Sequence, residues 1–318
     1  MVRIPIMFKN FSFLFLLSFF LLFESVSAST CLEKIENIYR QNSNPEISIN
    51  YEINIDKAIS RVEKLVEANK DRVTKTVVGV NNGEDLVRIH IKSHSNSPAV
   101  KVLLLAGVHG DESGGVGTLI DFLERNINNS FYSQNFEFVV YPYVNLEGLR
   151  RNQRRLLDGT DLNRSMNSEE SVPLADLLEN SLLGETFDIS LDLHEAKKKF
   201  HFYSIKAFEE DGSLTQKVLS KISDEHLYKS PNEKYPYLVP MTTNPDKHSY
   251  VLYSPGETRS LSTGSHTVKS FVAENLDVKY SYTLEGPGQM DIAKKIPIYR
   301  MIVENYLIEI LKRFQPIK

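Results

Sequence analysis

A short aliphatic run in the first half of the chain ends in a histidine and a glutamate that could bind a metal ion. The run covers residues 103–106, and His109 and Glu112 follow it just after Gly107. An apolar run of this length bounded by glycine is typical of a buried strand, and both side chains would lie at its carboxyl end. Imidazole nitrogen and carboxylate oxygen are ordinary Zn2+ ligands, and a hydrolytic zinc site has three protein ligands and one open position. The pair therefore predicts two of the three ligands.

Two later segments show the same strand-end pattern. His194 directly follows the apolar run 189–193, and Glu285 directly follows the run 280–284. Ligands of open α/β sheets bind beyond the carboxyl ends of the strands, so these side chains are expected at the same rim as the first two ligands. His194 is the predicted third ligand. Glu195 is its neighbour, but on an extended strand its side chain would point away.

The segment 145–164 is rich in arginine, with five arginines between residues 150 and 164. Such a block is typical of a solvated loop or of a surface that binds polyanions. Arginine also binds carboxylates through two parallel hydrogen bonds, so the same block could hold the carboxylate of a substrate. The residue types alone leave these interpretations open.

The elements that would position these residues alternate between strands and helices. The pattern predicts a helix over 56–69 with Asp56 as its cap, a hairpin over 76–91 turning at Asn82-Gly83, a strand over 100–107, a helix over 117–125 and a strand over 136–140. Further helices are predicted within 166–186 and over 291–314, and loops over 230–266. This order favours an α/β fold: a single domain with a central mixed, mostly parallel sheet flanked by helices, and the zinc site at the carboxyl ends of the strands.

The amino terminus has the order of a secretory signal. Arg3 and Lys9 precede the apolar run 11–23, and Val26-Ser27-Ala28 follows it. Cleavage after about Ala28 is expected, which predicts a secreted or periplasmic protein; an uncleaved anchor helix is the alternative. The predicted organisation is a signal peptide over 1–28, an irregular lead-in over 29–55 and a catalytic domain over 56–318.

Composition narrows the function classes. Of the 318 residues, 41% are hydrophobic and 25% are charged, as in ordinary globular proteins, and the net charge is −4. Nucleic-acid binders are usually basic, so no nucleic-acid partner is expected, and no membrane span is expected in the mature chain. The single cysteine, Cys31, excludes an intrachain disulfide, and lipid attachment to it is a minor alternative.

Taken together, the motifs resemble the zinc metallocarboxypeptidase superfamily, which includes the succinylglutamate desuccinylase and aspartoacylase branch. The resemblance covers roughly residues 56–312 in the right order. Its elements are a Gly-containing hairpin at 77–86, HGDE at 109–112, NLEG at 145–148, DLNR at 161–164, DLH at 192–194 and TLE at 283–285.

The resemblance implies a role for each matching residue. Eight residues fall on functional positions: His109, Glu112 and His194 as ligands of one Zn2+ ion, Asp161 as the acid that accepts a hydrogen bond from the first histidine, Asn163 and Arg164 as holders of the substrate carboxylate, Arg154 as the oxyanion-stabilising arginine, and Glu285 as the catalytic glutamate. Arg151 and Arg155 are rivals for the oxyanion role. Tyr250 and Tyr253 are candidates for a tyrosine on a mobile loop.

These expectations describe an exported zinc-dependent hydrolase that cleaves a peptide or amide bond next to a free carboxylate. Its substrate would be a peptide or an acylated amino acid. The first alternative is a small-molecule N-acyl amino acid deacylase of the desuccinylase or aspartoacylase type. The second is a non-catalytic protein that binds a metal or a carboxylate. A basic loop that grips polyanions would be a third, and the net negative charge disfavours it.

Overall fold

The computed structural model describes residues 53–95, 100–197, 202–206, 213–219, 221–222, 266–276, 278 and 280–314. The elements below all belong to the unit Asn50–Phe314. The expected signal peptide over 1–28, Cys31, Tyr250 and Tyr253 lie outside the described residues, as does most of the lead-in over 29–55.

Eight helices and seven strands are described, in alternating order. The helices are α1 (Ile55–Ala68), α2 (Ser113–Asn126), α3 (Ser130–Asn135), α4 (Leu146–Arg151), α5 (Pro173–Leu182), α6 (Ser213–Leu219), α7 (Val268–Asn275) and α8 (Ile292–Phe314). The strands are β1 (Val73–Asn81), β2 (Glu84–Ile91), β3 (Val100–Ala106), β4 (Phe136–Tyr141), β5 (Ile189–Ala196), β6 (Tyr203–Lys206) and β7 (Tyr280–Pro287). A short 3-10 helix covers Leu162–Arg164.

The seven strands form one mixed sheet in the order β1-β2-β4-β3-β5-β7-β6. The four central strands β4, β3, β5 and β7 are parallel to one another, and antiparallel pairings join β2 to β4, β1 to β2 and β6 to β7. The carboxyl ends of β3, β5 and β7 therefore lie side by side at one rim. The predicted fold class, an α/β domain with a mixed sheet whose central part is parallel, is confirmed.

Two hydrophobic clusters cover the two faces of the sheet. Along β3, Leu103 and Leu105 belong to the cluster formed with α5 and α7, whereas Val102, Leu104 and Ala106 belong to the cluster formed with α1, α2 and α8. Because successive side chains of a strand point to opposite faces, a strand with helices on both sides must be apolar at nearly every position. This is why the aliphatic run before His109 predicted a central strand correctly.

The hairpin is as expected, and the first helix begins slightly earlier than expected. Asn82 and Gly83 both have positive φ, 51° and 82°, which is the backbone that a two-residue hairpin turn of this type requires. In α1 the cap is Asn54, whose Oδ1 accepts a hydrogen bond from the Lys57 amide at 3.0 Å, and the predicted cap Asp56 lies inside the helix. Asparagine and aspartate cap equally well, so sequence preference could not separate them.

Several short elements were not predicted. Helix α4 begins in the arginine-rich block, where Asn145 Oδ1 accepts a hydrogen bond from the Gly148 amide at 2.9 Å and caps it. Helices α3, α6 and α7 and strand β6 are also absent from the sequence-based description, because each has eight residues or fewer and periodicity is weak over so few positions. None of the helices described is both long enough and apolar enough to cross a bilayer.

Candidate metal centre

The side chains of His109, Glu112 and His194 converge at the rim formed by β3 and β5. His109 Nδ1 lies 2.8 Å from Glu112 Oε1, His194 Nδ1 lies 2.8 Å from Glu112 Oε2, and the two Nδ1 atoms are 3.1 Å apart. All three residues are 2–3% exposed, and their ligand-type atoms lie within 4.8 Å of one another. The structure thus brings together the three residues predicted as ligands, although they are up to 85 positions apart in the chain.

Each histidine contacts a carboxylate through its outer nitrogen. His109 Nε2 lies 3.2 Å from Asp161 Oδ1, and His194 Nε2 lies 2.8 Å from Asp192 Oδ2. A carboxylate in this position accepts the Nε2 hydrogen, so the lone pair of the ring is left on Nδ1. Asp161 was predicted for this place and Asp192 was not. The signal for Asp192 was available, because residues two apart on a strand share a face and Asp192 precedes His194 by two.

The donor set fits a divalent cation. Two imidazole lone pairs and one carboxylate face a common point, and electron-pair donors held this close repel one another unless a positive charge lies between them. Two histidines and one carboxylate are the protein ligands of one class of catalytic zinc site, in which water or substrate takes the fourth position. The cluster could therefore hold a metal ion.

The electrostatics of the cluster agree with this assignment. Burial disfavours the charge of Glu112, but His194 and His109 outweigh it and hold the pKa of Glu112 well below its usual value. Burial also opposes a charged Asp161, yet His109 and Arg154 lower the pKa of this carboxyl. Burial alone would lower the pKa of His194, whereas Asp192 and Glu112 raise it well above the ordinary value. The carboxylates are thus ionised, and they favour positive charge at the centre.

Glu285 lies beside the cluster on the neighbouring strand. In the parallel pairing of β5 with β7, Glu285 is the direct partner of His194, so both side chains project from the same face of the sheet. Burial raises the pKa of Glu285 to about 7, with Glu112 and Asp192 adding to the effect and both histidines opposing it. A carboxyl with a pKa near neutrality can accept and return a proton at physiological pH. A cation bound at the cluster would shift this pKa downward.

A close backbone approach places the arginine-rich block against the loop over residues 107–112, which carries His109 and Glu112 and is named the metal loop. The Gly110 amide donates to the Arg154 carbonyl at 3.4 Å, and a Cβ at Gly110 would lie 2.0 Å from the carbonyl carbon of Gly148. Only glycine fits here. Arg154 Nη1 in turn donates to Glu112 Oε1 at 3.0 Å, and its Nε donates to Asp161 Oδ2 at 3.3 Å.

Arg154 is the one of the three rival arginines that reaches the cluster. Arg151 contacts Gln153 and Glu147, and Arg155 donates to the Gly159 carbonyl at 2.7 Å. The side chain of Arg154 remains 41% exposed, so it borders both the cluster and solvent. This is a suitable place for a group that meets the substrate.

Asn163 and Arg164 lie next to the cluster through Asp161, whose Oδ1 accepts a hydrogen bond from the Asn163 amide at 3.1 Å. Asn163 is buried, and its Oδ1 accepts from the Val268 amide at 2.9 Å, which fastens the start of α7. Arg164 is exposed and donates to the Asn163 carbonyl at 2.6 Å. The guanidinium of Arg164 is therefore open to a ligand, while the side-chain oxygen of Asn163 already has a donor.

Sequence reasoning also missed a buried lysine. Lys269, on α7, is 5% exposed, and its charge interacts with Asp192, Arg164 and Glu285. Burial lowers the pKa of Lys269 to about 8. The sequence offered no signal for it, because its neighbours come from three other elements and the helix that carries it was not predicted.

Comparisons with known proteins extend these observations. A family model described as the succinylglutamate desuccinylase/aspartoacylase catalytic domain matches residues 98–230, which include the three candidate ligands. The solved structure of a metallo-carboxypeptidase from Burkholderia cenocepacia is 14% identical, with a TM-score of 0.60, and the match covers 82% of this chain and 69% of that one. Bovine thrombin-activatable fibrinolysis inhibitor, solved in complex with tick carboxypeptidase inhibitor, is 14% identical with a TM-score of 0.57, and the match covers 83% of this chain and 100% of that one. A search of curated proteins gave no match.

At these identities the solved structures establish the fold alone, while the family model covers the segment that carries the candidate ligands. The sequence motifs, the mixed sheet and the buried His-Glu-His cluster agree with both. The resemblance to the zinc carboxypeptidase-like superfamily is therefore confirmed.

Proposed function

We propose that this chain is a zinc-dependent hydrolase that cleaves a peptide or amide bond next to a free carboxylate. The observation that carries the proposal is the convergence of His109, Glu112 and His194, with Glu285 in register beside them. A protein that only bound a metal would have no need of a further carboxyl in register with His194 at the same rim.

In this proposal His109, Glu112 and His194 hold one zinc ion, and Asp161 and Asp192 fix the orientation of the two rings. When bound, zinc lowers the pKa of a water molecule toward neutrality and polarises the substrate carbonyl. The other steps belong to side chains of this protein, which act on the water, the oxyanion and the substrate carboxylate.

Glu285 accepts a proton from the attacking water and delivers it to the leaving nitrogen. Arg154 donates hydrogen bonds to the oxyanion that develops on the carbonyl oxygen, and this requires its guanidinium to turn partly away from Glu112. Arg164, with Asn163 behind it, binds the free carboxylate of the substrate. The exposed guanidinium of Arg164 supports this role more directly than the side chain of Asn163, whose oxygen is engaged by α7.

Two substrate classes are compatible with this site. Carboxypeptidase action is favoured by the hairpin at 77–86 and by NLEG at 145–148, and the solved structures with this fold include carboxypeptidases. Deacylation of a small N-acyl amino acid is favoured by the family model that matches residues 98–230. Hydrolysis of peptides with a free carboxyl terminus, of the same peptides with an amidated terminus and of N-acyl amino acids would separate the two classes. Activity on free-terminus peptides alone supports the carboxypeptidase.

The proposed location is outside the cytoplasm, from the basic, apolar and small-residue order of residues 1–28. Determination of the amino-terminal residue of the mature protein tests this. A mature chain that begins close after Ala28 is expected, and a chain that retains the apolar run would instead support an anchor.

The decisive experiment combines metal analysis with two variants. The wild type should contain one zinc ion per chain, and His109→Ala should lose most of it. Glu285→Gln should retain the zinc and lose about 100-fold to 10,000-fold in kcat, the range typical of general acid–base groups. A Glu285→Gln variant with unchanged kcat would instead favour a non-catalytic role for this carboxyl. A wild-type protein that contains no zinc and hydrolyses no peptide or amide would refute the proposal.

A further inference from the structure

A buried ion pair lies under the metal loop, on the face of the sheet opposite the candidate site. Glu195, on β5, and Lys295, on α8, form a salt bridge, and their side chains are only 6% and 5% exposed. Glu195 follows His194 on β5, so its side chain projects to the other face of the sheet. Helices α2 and α8 pack on that face. The sequence-based description of this site gave neither residue a role.

Glu195 contacts the metal loop at two points. Its backbone amide donates to Glu112 Oε2 at 3.0 Å, and its carboxylate oxygen Oε2 accepts a hydrogen bond from the Gly114 amide at 2.6 Å. Gly114 is in the first turn of α2, two residues after Glu112. One residue therefore holds both the carboxylate of a candidate ligand and the backbone that follows it.

The glycine at position 114 shows how closely these groups approach. A Cβ on Gly114 would lie 2.5 Å from Glu195 Oε1 and 2.6 Å from its carboxyl carbon. With a larger residue at position 114, either the Glu195 carboxylate or the start of α2 would have to shift. Glycine at position 114 therefore allows the backbone amide to approach the Glu195 carboxylate this closely.

Stability alone is a weak reason for such a pair. Removing two charges from water costs several kcal/mol per ion, and apolar residues of similar volume often serve a core equally well. Leu193, two positions before Glu195 on the same strand face, and Ile296, next to Lys295, are both buried, so the pair has apolar neighbours along both of its elements. A specific geometric role explains the pair better than its contribution to packing.

We propose that Glu195 and Lys295 are positioning residues that hold Glu112 in the arrangement that binds the metal. Lys295 fixes the Glu195 carboxylate, that carboxylate anchors the Gly114 amide, and the Glu195 amide orients the Glu112 carboxylate. The inference rests on the proposed function to the extent that the cluster binds zinc. It adds that the carboxyl-terminal helix α8 controls the geometry of the metal loop.

The test compares Lys295→Met with two controls on the same helix. Lys294→Met changes an exposed neighbour. Arg300→Met breaks another largely buried set of ion pairs, in which Arg300 Nη1 lies 2.6 Å from Glu304 and Nε lies 2.9 Å from Asp121. Arg300→Met therefore reports the effect of lost stability without a change under the metal loop. The readouts are the dissociation constant for Zn2+, from competition with a chelator, and the melting temperature of the metal-free protein.

Lys295→Met should weaken Zn2+ binding about tenfold, the lower end of the effect of supporting groups around metal ligands. Lys294→Met should change neither readout, and Arg300→Met should lower the melting temperature while leaving Zn2+ affinity within about twofold of wild type. The double variant Glu195→Gln with Lys295→Met should recover part of the affinity, because Gln can still accept the Gly114 hydrogen bond and no buried charge is left unpaired.

Equal Zn2+ affinity in wild type and Lys295→Met would overturn the inference, and so would an equal loss of affinity in Arg300→Met. If Lys295→Met does not fold, the double variant Glu195→Leu with Lys295→Met is measured instead. It leaves no buried charge unpaired but removes the acceptor of the Gly114 amide, so the same loss of affinity is expected. A wild type that binds no Zn2+ would instead overturn the proposed function, so the two failures can be told apart.

Discussion

Asp192 offers the sharpest test of how the metal centre is held. It is 1% exposed, and its Oδ2 lies 2.8 Å from His194 Nε2, so it sets which nitrogen of this ring carries the hydrogen. In Asp192→Asn the shape is retained and the negative charge is lost. We expect Zn2+ to bind about 10-fold to 100-fold more weakly in this variant, the range observed for such supporting groups.

The two possible orientations of the new amide account for this range. If the Asn oxygen faces His194, the hydrogen bond remains but is no longer charge-assisted, and a difference of about 1.4 kcal/mol corresponds to the tenfold end of the range. If the amide nitrogen faces the ring, Nε2 must accept and Nδ1 carries the hydrogen, so the metal loses a lone pair. That orientation gives the larger loss, and about 2.7 kcal/mol corresponds to 100-fold.

The assay is competition for Zn2+ with a chromogenic chelator at fixed pH. Asp188→Asn is the matched control, because Asp188 lies just before the opposite end of the same strand and its carboxylate accepts a hydrogen bond from the Lys101 amide at 2.9 Å. This control should bind Zn2+ as the wild type does. Equal Zn2+ affinity in Asp192→Asn and wild type would refute the claim that the Asp192 carboxylate orients His194 for the metal.

Three further predictions follow from other residues. Arg154→Met should keep its zinc and lose about 100-fold to 1,000-fold in kcat, the usual cost of removing an oxyanion donor, and zinc analysis beside steady-state kinetics checks both. Lys269→Met should be more stable than wild type at pH 7 by up to about 3 kcal/mol, because burial lowers the pKa from 10.5 to about 8. Between pH 8 and 10.5 the unfolded wild type binds more protons than the folded protein, so wild-type stability rises with pH and the difference from Lys269→Met narrows; denaturant titrations that show a pH-independent difference would contradict this. Gly110→Ala should lower the free energy of unfolding by about 3 kcal/mol, since its Cβ meets backbone, whereas Gly79→Ala meets the movable side chain of Leu177 and should cost less in the same measurement.

The sequence was sufficient for those parts of the site that follow from strands. His109 follows β3, which is apolar at nearly every position, and His194 and Glu285 lie near the carboxyl ends of β5 and β7. These strands run parallel to β3, so the three residues reach one rim. The fold class alone was therefore enough to predict where these residues lie. Asp161 entered through the resemblance to a known family, and the structure places it against His109 at 3.2 Å.

The remaining contacts depend on packing between distant elements. Lys269 reaches Asp192 and Glu285 only because α7 packs on the sheet, and Lys295 meets Glu195 only because α8 packs on the other face. Both lysines would be assigned to solvent from sequence alone, since lysine is seldom fully buried. Asp192 is a different case. Side chains alternate between the two faces of a strand, so the sequence alone predicts that Asp192 shares a face with His194.

The pairing of β5 with β7 has a consequence for which changes the protein can tolerate. Eight consecutive residue pairs, from Ile189 with Tyr280 to Ala196 with Pro287, run without a bulge, and His194 opposite Glu285 is one of them. Inserting or deleting a single residue before Glu285 in β7 would turn this proposed general base toward the α2 and α8 layer, and the same change before His194 in β5 would turn that candidate ligand away from the rim. In relatives that keep His194 and Glu285, we therefore expect differences in chain length to lie in the connections between strands. Such differences would change the surroundings of the site and leave the two side chains aligned.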